Sequence, residues 1–260
     1  MVVRSMLTAL ALSTAFAGGC SLPTDHAVKI NVSPTAARID RSYAVDIENR
    51  GGEVRVVVEP GLTSPIIEAV VTDQGGGFLR RTPDPTVKGW YAADVTVRDG
   101  RPLLRVLTKR SDDTQPATYV GLTVRVPSCD GLRVRNTGGP VVAKGVWGEI
   151  RIENGFGGGV GGDVRVSTTR RLTDPIELSS TGGDVTLLMP RDSTGRFEIT
   201  NPEGHIDFAA RTDQLSGVRR TSTVHRAVVN NGQNEVRLST ARGTVRVEVG
   251  EGIRHAVGDY

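Results

Sequence analysis

Apolar and polar residues alternate with a period of two along most of this chain, in short runs bounded by Gly, Pro, Asn or Asp. Val54-Arg55-Val56, Leu122-Thr123-Val124-Arg125-Val126, Ile150-Arg151-Ile152, Val164-Arg165-Val166, Phe197-Glu198-Ile199 and Val245-Arg246-Val247-Glu248-Val249 are representative. Period two turns the branched residues to one face of a strand and Arg, Thr or Glu to the other, so each run predicts a half-buried β-strand. No stretch carries the period of an amphipathic helix, and the predicted class is all-β.

A glycine, one polar residue and an alternating pair recur as an internal repeat: Gly148-Glu149-Ile150-Arg151-Ile152, Gly162-Asp163-Val164-Arg165-Val166, Gly183-Asp184-Val185-Thr186-Leu187, Gly204-His205-Ile206-Asp207-Phe208 and Gly243-Thr244-Val245-Arg246-Val247. Gly162, Gly183 and Gly204 are equally spaced, and the step between them has the length of a solenoid rung. Glycine is expected there to supply a positive φ in a tight turn. A longer echo joins Val124-Arg125-Val126-Pro127, Leu132-Arg133-Val134 and Asn136-Thr137-Gly138-Gly139 to Leu187-Leu188-Met189-Pro190, Phe197-Glu198-Ile199 and Asn201-Pro202-Glu203-Gly204. Both read strand, proline turn, strand, glycine turn, strand. A rung cannot bury its apolar face alone, so the pattern predicts a β-solenoid-like stack of short strands. The alternative is an elongated β-sandwich, favoured by the shorter step from Gly148 to Gly162 and the longer one from Gly204 to Gly243. The longer step contains Arg211 to Asn234, polar and poorly patterned, which reads as an inserted loop or a degenerate rung.

This repeat, with its strand-ending prolines, resembles the bacterial envelope proteins grouped as candidate adhesins with a β-strand repeat, related to the toast-rack and head-GIN domains. The resemblance covers roughly Ser42 to Val249 and is strongest from Leu122 to Phe208. It implies a right-handed solenoid-like fold outside the cell membrane, in several cases beside envelope-stress signalling proteins, with no catalytic residues to carry over.

The N-terminus agrees on location. Met1 to Arg4 is a short basic start, and Met6 to Ala17 is an apolar run below the roughly 20 residues needed to span a bilayer. It suits a signal-peptide core. Ala17-Gly18-Gly19-Cys20 resembles the lipobox of bacterial lipoproteins, in which a diacylglycerol is attached to the cysteine and cleavage exposes it. Leu is usual where Ala17 stands, so an exported soluble protein is the other reading. Ser21, where Asp would favour retention in the inner membrane, points to the outer membrane if the organism is Gram-negative. The expected organisation is a signal peptide over 1–19, a lipidated tether over 20–41, one β-repeat domain over 42–250 and a tail over 251–260.

Charge narrows the partners. The chain has 32 Lys and Arg against 29 Asp and Glu, and loss of Arg4 with the leader leaves a balance near +2. The arginines are spread along strands, which argues against a nucleic-acid partner. Cys20 committed to lipid leaves Cys129 unpaired, excluding a disulfide framework and predicting a small semi-buried residue. The four histidines, His26, His205, His225 and His255, lack metal-ligand spacing, and no nucleophile elbow or phosphate loop is present. No catalytic residue, metal or cofactor is expected. Gly158 to Val166 partly fits a calcium-binding nonapeptide, but Arg165 replaces its apolar position, so a flexible turn is the default. Arg133, Arg135, Arg151 and Arg165 could form a basic stripe, with Glu149, Glu153, Asp163 and Glu177 as neutralising neighbours. Trp90, Tyr91 and Trp147 are expected to cap an end of a sheet rather than stack on sugar. The function expected is a membrane-anchored, non-enzymatic adhesion or scaffold module for an envelope protein or polysaccharide. The alternatives are an envelope-stress sensory lipoprotein and, last, a glycan-active hydrolase, which clustered carboxylates in a groove would revive.

Overall fold

The structure, a computed structural model, describes residues 26–30, 42–73, 91–98, 100–108 and 118–250. Among them run nineteen strands. The N-terminal half supplies β1 (His26–Ile30), β2 (Tyr43–Asn49), β3 (Val54–Val58), β4 (Ile66–Asp73), β5 (Tyr91–Arg98), β6 (Arg101–Thr108), β7 (Thr118–Val126), β8 (Cys129–Asn136) and β9 (Gly139–Lys144). The remainder are β10 (Trp147–Asn154), β11 (Gly161–Ser167), β12 (Ile176–Ser180), β13 (Val185–Met189), β14 (Gly195–Thr200), β15 (His205–Ala209), β16 (Leu215–Arg220), β17 (Val224–Val229), β18 (Glu235–Thr240) and β19 (Thr244–Val249). Every run singled out by its alternation forms a strand.

Two sheets face each other. One, here sheet A, has the order β1-β4-β7-β3-β9-β11-β13-β19-β15; the other, sheet B, has the order β16-β17-β14-β18-β12-β10-β8-β2-β6-β5. Seven consecutive pairs, β2–β3, β6–β7, β8–β9, β10–β11, β12–β13, β14–β15 and β18–β19, each place one strand in sheet B and the next in sheet A, and neighbouring pairs run parallel. Each pair is a rung of a solenoid-like stack, and the two expected architectures therefore merge: rungs pile along one axis while their strands form two facing sheets. β4, β5, β16 and β17 run antiparallel to the strands they join and extend the sheets beyond the rungs.

The rungs are not stacked in chain order. β2–β3 lies between β6–β7 and β8–β9, and β18–β19 lies between β12–β13 and β14–β15. Gly183 and Gly204, spaced along the chain like Gly162 and Gly183, thus belong to rungs separated by a third. The crossings that skip a rung are β7 to β8 and β13 to β14, the two that carry Pro127 and Pro190 in the longer sequence echo. Arg211 to Asn234 holds neither a loop nor a degenerate rung but β16 and β17, an antiparallel extension of sheet B.

Between the sheets, equivalent positions of successive rungs form apolar ladders. Val45, Leu132, Ile150, Ile176, Val236 and Phe197 line up in sheet B, and Val54, Val141, Val164, Val185, Val245 and Ile206 in sheet A, all buried. Removing each from water is worth about 1.5–3 kcal/mol, available only when a rung has neighbours on both sides.

A second ladder is polar. Thr108, Asn49, Asn136, Asn154, Ser180, Thr240 and Asn201 occupy the end of each sheet B strand where the chain turns towards sheet A, and all are buried. Thr108 Oγ1 donates to Asn49 Oδ1 at 2.8 Å, Asn49 Nδ2 to Asn136 Oδ1 at 3.1 Å and Asn136 Nδ2 to Asn154 Oδ1 at 3.2 Å. The same side chains hold turn carbonyls: Asn154 Nδ2 donates to Gly162 at 2.8 Å, Thr240 Oγ1 to Gly183 at 2.7 Å and Asn201 Nδ2 to Gly243 at 2.9 Å. Buried carbonyls need such donors, so the ladder fixes the register of every rung.

The repeat glycines sit at this corner. Gly162, Gly183, Gly204 and Gly243 do not have positive φ, contrary to expectation; they are required because backbones touch. A Cβ on Gly183 would lie 2.3 Å from the carbonyl carbon of Gly162, and one on Gly243 2.3 Å from the oxygen of Gly183. Gly148 is different: its φ is 75° and it stands second in a sheet B strand, at a register shift, rather than at the start of a sheet A strand, which accounts for the uneven step to Gly162.

Candidate functional site

With rungs in register, outward side chains also form rows. Across sheet B one row reads Asp94, Arg105, Asp46, Arg133, Arg151, Glu177, Arg237, Glu198, Arg226 and Arg219, each the register partner of the next. At the usual strand spacing this is a mixed-charge face about 43 Å long. Glu177 and Arg151 pair at 3.2 Å, and Glu198 pairs with Arg226. Arg133 and Arg219 have no ion-pair partner among the described residues.

The expected basic stripe divides. Arg133 and Arg151 are neighbours in this row, but Arg135 lies in the next row beside Glu153 and pairs with Glu48, while Arg165 is on sheet A, on the opposite side of the molecule. Of the expected neutralising neighbours, Glu177 does pair, with Arg151.

A cleft of about 850 Å³ opens where sheet A strands return to sheet B. Thr169, Arg171, Arg191, Asp192, Asp213 and Gln214 are among its lining residues. Its wall is tightly tied: Gln214 Nε2 donates to the Arg191 carbonyl at 2.6 Å, and Asn230 Nδ2 donates to the same carbonyl at 2.8 Å and to that of Ser193 at 2.7 Å. Asp213 accepts from Arg211 Nε at 3.1 Å and lies 3.6 Å from Arg191. The Asp213 carboxylate is therefore accompanied by two guanidinium groups, and with Asp192 and Arg171 also lining the cleft the arrangement is suited to binding polar or charged groups. Neither Arg191 nor Asp213 was legible as part of a site, because they come from two separate crossings with no shared motif.

The remaining sequence-level candidates fall as follows. Cys20, His255 and Trp90 lie outside the described residues, as do the side chains of His26 and Tyr91. Cys129 is fully buried rather than semi-buried; burial, with Asp130 alongside, pushes its thiol up to about 12. His225 is buried on β17 and stacked on Phe208, ring centroids 4.8 Å apart, with neither ring nitrogen hydrogen-bonded. Burial, and then the positive charge of Arg220, hold its pKa below the ordinary value. His205 is exposed on β15. Trp147 caps no sheet end: it starts a strand in the middle of sheet B, with the Arg170 guanidinium 3.8 Å from its ring centre. In the glycine-rich segment Asp163 Oδ1 accepts the Asp184 amide at 2.9 Å and Asp184 Oδ1 the Thr244 amide at 2.7 Å, so these carboxylates link successive rungs. Among the described residues, no three His, Cys, Asp or Glu side chains gather as metal ligands would.

A crystal structure of a candidate cell adhesion protein from Clostridium sporogenes is similar at a TM-score of 0.53 with 9% identity, over 88% of this chain and 100% of that one. A candidate adhesin from Bacteroides fragilis gives a TM-score of 0.37 with 11% identity, over 87% of this chain and 97% of that one. At such identities the first likeness is one of fold alone. No family model and no curated protein matches the chain.

Proposed function

We propose that this chain is an exported lipoprotein, held at the cell envelope through Cys20, whose β-repeat body acts as a non-enzymatic adhesion or scaffold module for an envelope protein or polysaccharide. The observation that carries the reading is the row of mixed charges across ten strands of sheet B, rigidly spaced by the buried ladder beneath it. A long, periodic surface of this kind suits an extended polymeric partner better than a small molecule. The fold shared with the Clostridium sporogenes protein supports the same class of role. The segment between Cys20 and β1 would join the body to the membrane, since His26–Ile30 is already a strand of sheet A, and two or three acyl chains on Cys20 would suffice as anchor.

The test is made in bacterial cells. The full chain and its C20A variant are compared by intact mass and detergent partitioning, and the C20A protein is assayed for binding to isolated envelope polysaccharide and envelope protein fractions. Acylation lost in C20A, together with binding that R133E/R151E weakens, is the expected result. Unmodified Cys20 removes the anchor; robust turnover of an envelope substrate, abolished by D192N or D213N, overturns the non-enzymatic role.

A further inference from the structure

The two ends of sheet B are complementary to each other. Its outermost strands, β5 at one end and β16 at the other, each pair with a single neighbour among the described residues. An edge of unpaired backbone groups is a template for another strand. Three large apolar side chains are exposed among the described residues, and two of them stand on these edges: Val97, 67% exposed, on β5 and Val218, 51% exposed, on β16. The third, Val160, is in the glycine-rich loop.

Charge makes the same match. The outward row of sheet B ends on β16 with Arg219 and begins on β5 with Asp94. Arg219 faces Arg226 within its own sheet, a like-charge contact, and Arg226 is already paired with Glu198. Arg219 therefore lacks an acid where the row ends, and Asp94 is the acid with which the row starts.

We infer that the chain stacks on itself head to tail, the β16 edge of one copy meeting the β5 edge of the next, which goes beyond the adhesion role proposed above. A copy moved along the stack axis without rotation brings together strands of opposite direction, because β16 runs with the rungs and β5 against them. The junction is an antiparallel ladder. With Arg219 opposite Asp94, alternation puts Val218 on the face that carries Val95 and Val97, burying all three valines. The sheet ends are also stepped. Among the described residues, sheet B runs two strands past the β14–β15 rung where sheet A stops at β15, whereas beyond β6–β7 sheet A adds β4 and β1 and sheet B only β5. The overhang of one end overlaps that of the other, as in a lap joint. Such a contact uses two different surfaces and does not close, so it yields an open row of copies. Arg219 and Arg220 on the edge disfavour strands that lack an acid at this register.

The experiment is sedimentation velocity over a concentration series on the full chain carrying C20A, so that lipid does not drive association, beside D94R, R219D and D94R/R219D in the same background. The expected result is concentration-dependent growth of the sedimentation coefficient, weakened about tenfold in each single reversal and restored to within about threefold in the double. V97K, on an exposed position, weakens it as well and reads the same edge should D94R lose its native far-UV spectrum. A monomer at every concentration overturns the inference, as does association that the single reversals leave unchanged.

Discussion

Asn136 is the central link of the buried polar ladder, and its replacement measures what that ladder is worth. Its Nδ2 donates to the Gly138 carbonyl and to Asn154 Oδ1, and its Oδ1 accepts from Asn49 Nδ2. N136A deletes these three bonds and leaves a buried carbonyl without a donor. At about 1 kcal/mol net per bond, the loss is about 3 kcal/mol. N136D keeps the size but turns the donor edge into an acceptor facing Asn154 Oδ1 and the Gly138 carbonyl, so it costs more than alanine at neutral pH. The folded-state pKa of that new carboxyl is raised, so its penalty is absent below the unfolded value of about 3.9 and grows as pH rises through the folded value. N136T costs less than either, about 1–2 kcal/mol, because Thr240 shows a hydroxyl at the equivalent place holding a turn carbonyl at 2.7 Å. Equilibrium urea unfolding followed by far-UV circular dichroism, with slopes that stay constant, gives the order. An N136A protein within about 0.5 kcal/mol of wild type, or N136D more stable than N136A at neutral pH, would refute the reasoning.

Glycine packing predicts that G183A destabilises by about 2–3 kcal/mol, since the new methyl meets the backbone of Gly162 at 2.3 Å, whereas G61A, which meets nothing within 4 Å, leaves the unfolding midpoint nearly unchanged. His225 binds a proton more readily in the unfolded chain than in its buried stack, so its contribution is full above about pH 6.5 and falls as pH drops towards the lower folded value; a pH titration of stability is expected to show this acid step in wild type and not in H225F. Cys129, with its thiol pushed up to about 12, stays unlabelled by a maleimide at pH 8 in the folded protein and reacts in urea; labelling at equal rates in both would contradict its burial.

Much of the architecture was legible because period two and corner glycines are local signals. The strands, their inward residues and the recurrence of a rung follow from which residues can face a core and from where two backbones can touch. Even the polar ladder had a trace: Asn136, Asn154, Ser180, Asn201 and Thr240 each close a sheet B strand shortly before a glycine. The order of the rungs was not legible. Glycine spacing does not distinguish Gly183 to Gly204, which skips a rung, from Gly162 to Gly183, which does not, because the two steps are equal in length and the intervening rung comes from the far end of the chain; the proline at the end of β13 marks the skipping crossing only once the rung order is known. The same holds for surfaces. Sequence names Arg133, Arg135, Arg151 and Arg165 as alternating outward residues, but only the alternation of strands between two sheets sends Arg165 to the opposite side, and only rung order makes Asp94 and Arg219 the two ends of one row. Patterning decides which way a side chain points; long-range strand pairing decides what it stands beside.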